Sequence, residues 1–323
     1  MPVTEEAEFS RLAGPYRSEL LAHCYRMLGS VHDAEDQLQE TLLRAWRSYD
    51  QFEGRSSLRT WLYRIATNTC LRAIETRQRR PLPSGLGQPG DDPSGPLDGA
   101  QREVPWLEPI PDALISTDPA AVVTSRTNIR LALIAALQYL PPKQRAVLIL
   151  RDVLGWRAAE VADLLGTTTV AANSALQRAR AQLQQAAPSE DELREPADPE
   201  VAALLNRYAA AFENADVAGL TELLRDDAVI EMPPTPTWFA GLGNVEQFLR
   251  SHVLHEPGRM RMVPTAANGQ PALAEYARGE DGVYRAFSIH VLTVDGSRIA
   301  RISAFLDASL FTVFGLPATL SES

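Results

Sequence analysis

Apolar positions in the first part of the chain recur at helical spacing. Between Asp33 and Trp46 they fall at Ala34, Leu38, Leu42, Ala45 and Trp46, which predicts an amphipathic helix whose opposite face carries Asp33, Asp36, Gln37, Glu40 and Arg44. A second helix follows, capped by Ser56 or Ser57, with Leu58, Leu62, Ile65, Ala66, Thr69 and Ala73 on one side. Trp61, Arg64 and Asn68, spaced i, i+3 and i+7, share an edge away from that side, with Tyr63 and Thr67 nearby. Further on, Leu140-Pro141-Pro142-Lys143-Gln144-Arg145 opens a helix with proline in its first turn. Arg157 to Leu165 then reads as a short helix with Val161, Leu164 and Leu165 inward, Gly166-Thr167-Thr168-Thr169 as a tight turn, and Val170 to Gln185 as a second helix burying Ala172, Leu176, Ala179 and Leu183. Helix, glycine turn, helix is the DNA-binding helix-turn-helix pattern.

The period changes towards the C-terminus. Val201, Leu204, Leu205, Tyr208 and Phe212 form one more helical stripe and Leu220 to Leu224 another, after which alternating runs at Tyr284 to Val294 and Arg298 to Phe305 predict strands. Between Pro81 and Pro119 stand nine prolines and five glycines, a density that no regular element tolerates, and Pro188 to Pro199 marks a second break. The expected organisation is therefore an all-α module over 1–80, a linker over 81–128, an all-α helix-turn-helix module over 129–187, a short linker over 188–197, and an α+β domain over 198–323. Within the first linker, Val104-Pro105-Trp106-Leu107-Glu108-Pro109-Ile110-Pro111 is an apolar island. It is either polyproline-like chain that happens to hold a tryptophan or an anchor, Trp106, docked on another surface; docking is favoured because a lone indole in water wastes its apolar area.

At 323 residues the chain exceeds one ordinary core, in keeping with this division. Its net charge of −10 argues at first against nucleic acid, but the sum hides an uneven distribution. The segments 1–80, 81–128, 129–187 and 188–323 carry +1, −5, +4 and −10, and residues 55–80 hold seven arginines against Glu75 alone. No apolar run is long enough to cross a bilayer, and the acidic start Met1-Pro2-Val3-Thr4-Glu5-Glu6 is unlike a secretory signal, so a cytoplasmic protein without membrane association is expected. Cys24 and Cys70 lie among apolar helical neighbours and read as two reduced buried thiols; a metal site would need more ligands, and no cofactor is called for.

The polar faces suggest partners. An acidic face at Asp33, Asp36, Gln37 and Glu40 beside a DNA-binding module makes best sense as a contact for a basic protein, although many such faces are merely solvated. Tryptophan interleaved with arginine suits unpaired DNA, where rings stack on bases and guanidinium groups hold phosphates, while core packing could equally claim Trp61. Asn173, Ser174, Gln177, Arg178 and Arg180 project from the second helix of the helix-turn-helix and have the chemistry to pair with base edges and phosphates in the major groove.

Taken together, residues 5–187 resemble the extracytoplasmic-function (ECF, group 4) sigma factors of the sigma-70 family, which hold only conserved regions 2 and 4. The resemblance rests on Asp33-Ala34-Glu35-Asp36 through Gln39-Glu40-Thr41 to Arg44-Ala45-Trp46, on Phe52 through Trp61-Leu62-Tyr63-Arg64-Ile65-Ala66 to Asn68, and on Leu140 to Arg145 through Glu160-Val161-Ala162 to Asn173-Ser174-Ala175-Leu176-Gln177-Arg178-Ala179-Arg180. It implies a protein that joins core RNA polymerase to promoters. The helix around Asp36 and Glu40 would bind the clamp helices of the largest subunit, and the polymerase flap is a further implied partner. Phe52, Arg55, Trp61, Arg64 and Asn68 would melt and hold the minus-ten element as single strands. Asn173, Ser174, Gln177 and Arg178 would read the minus-thirty-five element as duplex, and the linker with Trp106 would thread towards the RNA exit path.

Residues 198–315 resemble the SnoaL-like group, a cone-shaped α+β fold shared with ketosteroid isomerases. Some minimal sigma factors carry such a domain C-terminally, where the resemblance implies that it modulates activity, through a small ligand or a regulatory protein. Met232, Trp238, Phe239, Tyr284, His290 and Phe305 are the candidates to line its cup, and are just as plausibly its core. Asp227, Glu231, His290 and Asp307 are the residues to test as a general base, but none sits in a recognisable catalytic motif, and a non-enzymatic chain is expected. Two alternatives stay open: a stand-alone helix-turn-helix regulator, which leaves the Asp36 face and Trp61 edge unexplained, and an isomerase or cyclase with DNA-binding helices.

Overall fold

A computed structural model describes residues 3–54, 56–75, 78–115, 129–186 and 198–321. The chain forms two compact units, one from residues 1–80 with 114–188 and one from residues 81–113 with 189–323.

The first unit is all helix. Its N-terminal part comprises α1 (Val3–Ala13), α2 (Arg17–Leu28), α3 (Val31–Arg47) and α4 (Leu58–Glu75). The turn between α2 and α3 is dictated locally: Gly29 takes φ +70°, the left-handed conformation of a helix C-cap, and Ser30 Oγ then accepts from the Asp33 amide at 3.1 Å to cap α3. Ser57, rather than Ser56, caps α4 by accepting from Thr60 N at 3.1 Å. Polar groups inside this part are paired across helices. Arg59 of α4 grips Glu19 of α2 through Nε and Nη2 at 2.9 and 2.7 Å, Thr41 of α3 meets Thr69 of α4 at 3.1 Å, and His23 Nε2 meets Thr67 Oγ1 at 2.9 Å. Tyr63 and Thr67, placed near the outward edge by the sequence pattern, are in fact buried, drawn in by these bonds.

The second helical part comprises α5 (Leu131–Leu137), α6 (Pro142–Leu148, continuing as a wider turn to Val153), α7 (Ala158–Leu164) and α8 (Thr169–Ala186). The turn between α7 and α8 uses Gly166 at φ +61°, and Ala172, Leu176 and Ala179 are buried as the period requires, with Leu183 half-buried. The two helical parts touch. Arg145 of α6 reaches the Met27 carbonyl of α2, Tyr63 and Trp156 meet edge to face at 6.0 Å, and Gly29 lies so close to Gln138 that a Cβ would fall 2.9 Å from its Cδ.

The second unit contains α9 (Asp198–Glu213), α10 (Val217–Thr221), β1 (Leu224–Glu231), β2 (Trp238–Ala240), α11 (Leu242–Phe248), β3 (Met260–Ala267), β4 (Gln270–Arg278), β5 (Tyr284–Asp295), β6 (Arg298–Phe305), α12 (Leu310–Val313) and β7 (Thr319–Leu320). The sheet runs β2-β1-β6-β5-β4-β3, with β7 on β5; β1 and β6 are parallel and the other pairs antiparallel. One face packs on α9 through Leu204, Tyr208 and Phe212 against Ile230, Met232, Leu273, Leu292, Ile302 and Ala304. Alternate residues turn the other way, and several, including Glu231, Ser303, Ile289 and Phe305, are buried too.

The first linker helps to explain that second burial. Instead of running free, residues 81–113 pack on this unit. Ser84 bonds Glu231 through its amide at 3.2 Å and its hydroxyl at 2.8 Å, Gly90 N donates to Trp238 O at the sheet edge, and Gln101 N donates to Pro234 O. Pro111 bridges to Ala267, and Ile110 exchanges two 3.0 Å bonds with Asn268. Residues 81–113 carry two three-residue 3-10 turns, the second running on to Leu114, in otherwise irregular chain, and lack of helix or strand has not meant lack of fixed contacts.

Candidate functional site

On α8, Asn173, Gln177 and Arg178 are exposed and Ser174 is half-buried, one helical face beside the buried Ala172-Leu176-Ala179 row. Arg180 differs from its neighbours: its Nε and Nη2 hold Asp152 at 2.9 and 2.7 Å, so its guanidinium is already committed to the wider turn that ends α6. The helix is preceded by Thr168, whose hydroxyl accepts from Ala171 N at 3.1 Å. α7 is fixed at its start by Glu160, which accepts from the Arg157 amide at 2.7 Å; that bond holds its carboxyl below the ordinary range.

The α4 edge gathers an aromatic group. Trp61 is half-buried and packs on Phe52 at 4.9 Å between ring centroids, with Tyr49 stacked on Phe52 at 6.4 Å, while Asn68 is exposed further along. Arg64 is exposed on the same edge but forms an ion pair with Asp163 of α7. Arg55 lies outside the described residues. On α3, Asp36 is exposed, Gln37 half-buried, and Glu40 is paired with Arg44 one turn on at 2.5 Å. Asp33, drawn by the pattern onto the same face, is instead largely buried against Arg80, an ion pair between residues too distant in sequence for periodicity to reveal.

Trp106 is buried to 8% exposure and its indole N–H donates to Gln101 O at 2.8 Å; Leu107 and Ile110 beside it are fully buried. The six cup candidates are not brought together. Met232 and Phe239 belong to the helix-side core, whereas Trp238 gives its indole N–H to Gly87 O of the linker at 3.2 Å. Tyr284 bonds Gly258 O at 2.6 Å, and Phe305 lies outside that core. His290 is buried between Tyr208 Oη at 2.8 Å from Nδ1 and Glu275 at 3.1 Å from Nε2, with the Ser288 hydroxyl also on Glu275. If Tyr208 donates to Nδ1 and Nε2–H donates to Glu275, both imidazole nitrogens are occupied; burial, with the Glu275 charge, keeps the Tyr208 phenol protonated by raising its pKa. Sequence reasoning missed Glu275 and Ser288, which the strand register alone sets opposite one another.

The other acids proposed as a general base are separate. Asp227 pairs with Arg225, Asp307 accepts from the Ser309 amide, and Glu231 is fully buried with Arg301, Ser303 and Ser84. Among the described residues there is no group of His, Cys, Asp and Glu that could hold a metal ion, and no helix long and apolar enough to cross a membrane.

A helix-turn-helix with free polar side chains, a separate helical module edged by aromatics and arginine, and an α+β domain with a helix packed on a mixed sheet define a two-region sigma-70 transcription initiation factor with an added SnoaL-like domain. The family models agree: Sigma-70 region 2 matches residues 12–80, Sigma-70 region 4 residues 130–183, and the SnoaL-like domain residues 205–302. The chain belongs to the ECF RNA polymerase sigma factors. It is 55% identical over 316 residues to the ECF RNA polymerase sigma factor SigG of Mycobacterium tuberculosis, covering 97% of this chain and 85% of that one. It is 30% identical to SigJ of the same organism over 95% of this chain and 93% of that protein. The crystal structure of SigJ superimposes with a TM-score of 0.61 at 26% identity, covering 94% of this chain and 98% of that chain. Promoter recognition and transcription initiation are thus the functions of regions 2 and 4 here, and the partners of such factors are core RNA polymerase and promoter DNA.

Proposed function

We propose that α8 reads the minus-thirty-five element in the major groove through Asn173, Ser174, Gln177 and Arg178, with Arg180 serving mainly to fix the helix on Asp152. The observation that carries this reading is the contrast on one helix: Arg180 is spent on an internal pair, while Asn173, Gln177 and Arg178 are exposed and engage no side chain among the described residues. Such groups can form bidentate bonds to adenine or guanine without first breaking a protein bond.

Region 2 would hold the melted minus-ten element. The Phe52–Trp61 pair offers stacking faces for unpaired bases, Asn68 and Arg64 polar contacts, and Arg55 a phosphate contact. Arg64 must leave Asp163 to take part; a half-exposed ion pair of this kind is worth little, so the cost is small. Asp36, Gln37 and Glu40 would meet the basic clamp helices of the polymerase, and region 4 its flap. The C-terminal domain would modulate this activity without catalysing a reaction, because His290 is fully engaged by Tyr208 and Glu275 and the other acids do not converge on it. A cytoplasmic location follows from such a role.

Run-off transcription by purified core polymerase with the full chain tests the reading. Asn173→Ala should reduce promoter-dependent initiation without weakening core binding, whereas Asp36→Arg should weaken core binding itself. Equal loss of both properties in both variants would contradict the division of labour.

A further inference from the structure

A cavity of about 200 Å³ opens within the first unit, lined by residues of both helical regions. Region 2 contributes Asp33, Gln78, Arg79 and Arg80, and region 4 contributes Gln138 and Arg145. Among the described residues, three guanidinium groups thus face one space with a single carboxylate, and that carboxylate, Asp33, is already paired with Arg80. Arg79 lies over the Tyr139 ring at 4.1 Å, which holds it at the rim.

Arg145 is the telling group. It is 4% exposed, and among the described residues its Nη atoms donate only to neutral oxygens: Met27 O, Gln138 Oε1 at 2.7 Å, Gln138 O at 3.1 Å and Leu140 O at 3.3 Å. Its Nε is buried with no hydrogen-bond partner. Burial lowers its pKa to about 10, the direction expected of a guanidinium that gains no counter-ion on folding. A buried charge without a partner of opposite sign is costly, and a charge-assisted donor left over in a cationic cavity has the chemistry to bind an anion.

We propose that this cavity binds a small phosphate-bearing anion. The volume holds about six waters' worth of space, enough for a phosphate or diphosphate group but not for a whole nucleotide, whose remainder would have to lie outside. The Arg79 guanidinium, the remaining Arg145 Nε–H and the Gln78 amide supply donors that match the oxygens of a phosphoryl group. Because the ligand would be held from both regions, it would bind the packed arrangement in preference to one in which regions 2 and 4 have parted. Resting on the promoter reading given above, in which the two regions sit on elements about 25 base pairs apart, occupancy would therefore oppose promoter engagement by linkage.

Isothermal titration calorimetry on the full chain, with inorganic phosphate, pyrophosphate, and a nucleoside monophosphate and diphosphate as separate titrants, tests the site. The expected result is saturable one-to-one binding of pyrophosphate, weakened at least tenfold by Arg79→Gln, an exposed position whose replacement removes no core side chain, the variant's folding being checked by its melting temperature. Arg145→Lys, verified by its melting temperature, should weaken binding similarly; should it fail to fold, Arg79→Gln decides alone. Tighter binding of the nucleoside diphosphate would assign the natural ligand to nucleotides, and preference for pyrophosphate to inorganic anions. No saturable binding of any titrant at millimolar concentration, or binding that Arg79→Gln leaves unchanged, would overturn the proposal. Because the measurement involves no polymerase, its failure would leave the sigma-factor reading untouched.

Discussion

His23 makes region 2 sensitive to acid in a way that can be worked out in advance. Its ring sits edge to face with Tyr63 at 5.2 Å, Nε2 bonds Thr67, and Nδ1 has no hydrogen-bond partner. Burial first, and the Arg26 charge second, lower its pKa from 6.5 to about 3. The depressed value means that the unfolded chain takes up a proton between these limits while the folded chain does not. Stability is therefore fully present above pH 6.5 and falls as pH drops towards 3, by about 5 kcal/mol in all at 1.36 kcal/mol per unit. By pH 4.5 about 3 kcal/mol should be gone. Carboxylates titrate in the same range, so the informative quantity is the difference between the wild type and His23→Gln, whose amide can still meet Thr67 but takes up no proton. A chain of two compact units need not unfold in one transition, and native-state hydrogen exchange of the slowest α2 and α4 amides isolates the relevant part. Between pH 7.5 and 4.5 the wild type should lose about 3 kcal/mol more than the variant. Equal losses would refute the argument from burial.

Other outcomes follow from the geometry. Trp61→Ala should weaken binding to single-stranded minus-ten DNA by about 1–3 kcal/mol, read by fluorescence anisotropy, with duplex binding by region 4 unchanged. Arg178→Ala should cost promoter affinity and relax selectivity at one minus-thirty-five position, with about 1–3 kcal/mol of discrimination lost if it reads a base and a shallower salt dependence if it holds a phosphate. Leu107→Ala removes a fully buried side chain; a cost of about 2–5 kcal/mol should loosen residues 81–113 and appear as faster proteolysis between Gly85 and Arg102 in the full chain.

What the sequence could reveal follows the range of its interactions. The α7–turn–α8 unit is legible because its core residues recur at helical period and its turn needs Gly166 at positive φ, both properties of neighbouring residues. The strand Arg298–Phe305 is legible from alternation for the same reason. Tyr63 and Thr67 are misplaced by a residue-counting argument because their partners, Glu19 and His23, lie on another helix. Asp33 leaves its apparent surface face for Arg80, and Arg145, unremarkable in its motif, becomes a buried charge only when Met27 and Gln138 converge on it. The cup candidates, chosen for apolar bulk, divide between the two sides of the sheet and the linker because composition says nothing of which neighbour a strand acquires. Trp106 signals an anchor; its resting place on Gln101 carries no local signature.

The linker contacts also set a length. Leu107 N lies 3.0 Å from Pro81 O, so the chain between them doubles back and adds almost nothing to the distance that regions 2 and 4 can be drawn apart. From Leu107 to Ile129 about 22 residues remain, a contour of at most roughly 75 Å because Ile110 and Pro111 are also held on the domain, against about 160 Å for the whole of 81–128 paid out. Elements about 25 base pairs apart are separated by about 85 Å of B-DNA. If regions 2 and 4 sit on those elements as proposed, the tether with its loop held closed would have scarcely the span of the promoter, and with the loop released it would have slack to spare. On the promoter reading proposed above, the SnoaL-like domain would hold the drawstring of regions 2 and 4, a role that requires neither an active site nor any contact with DNA.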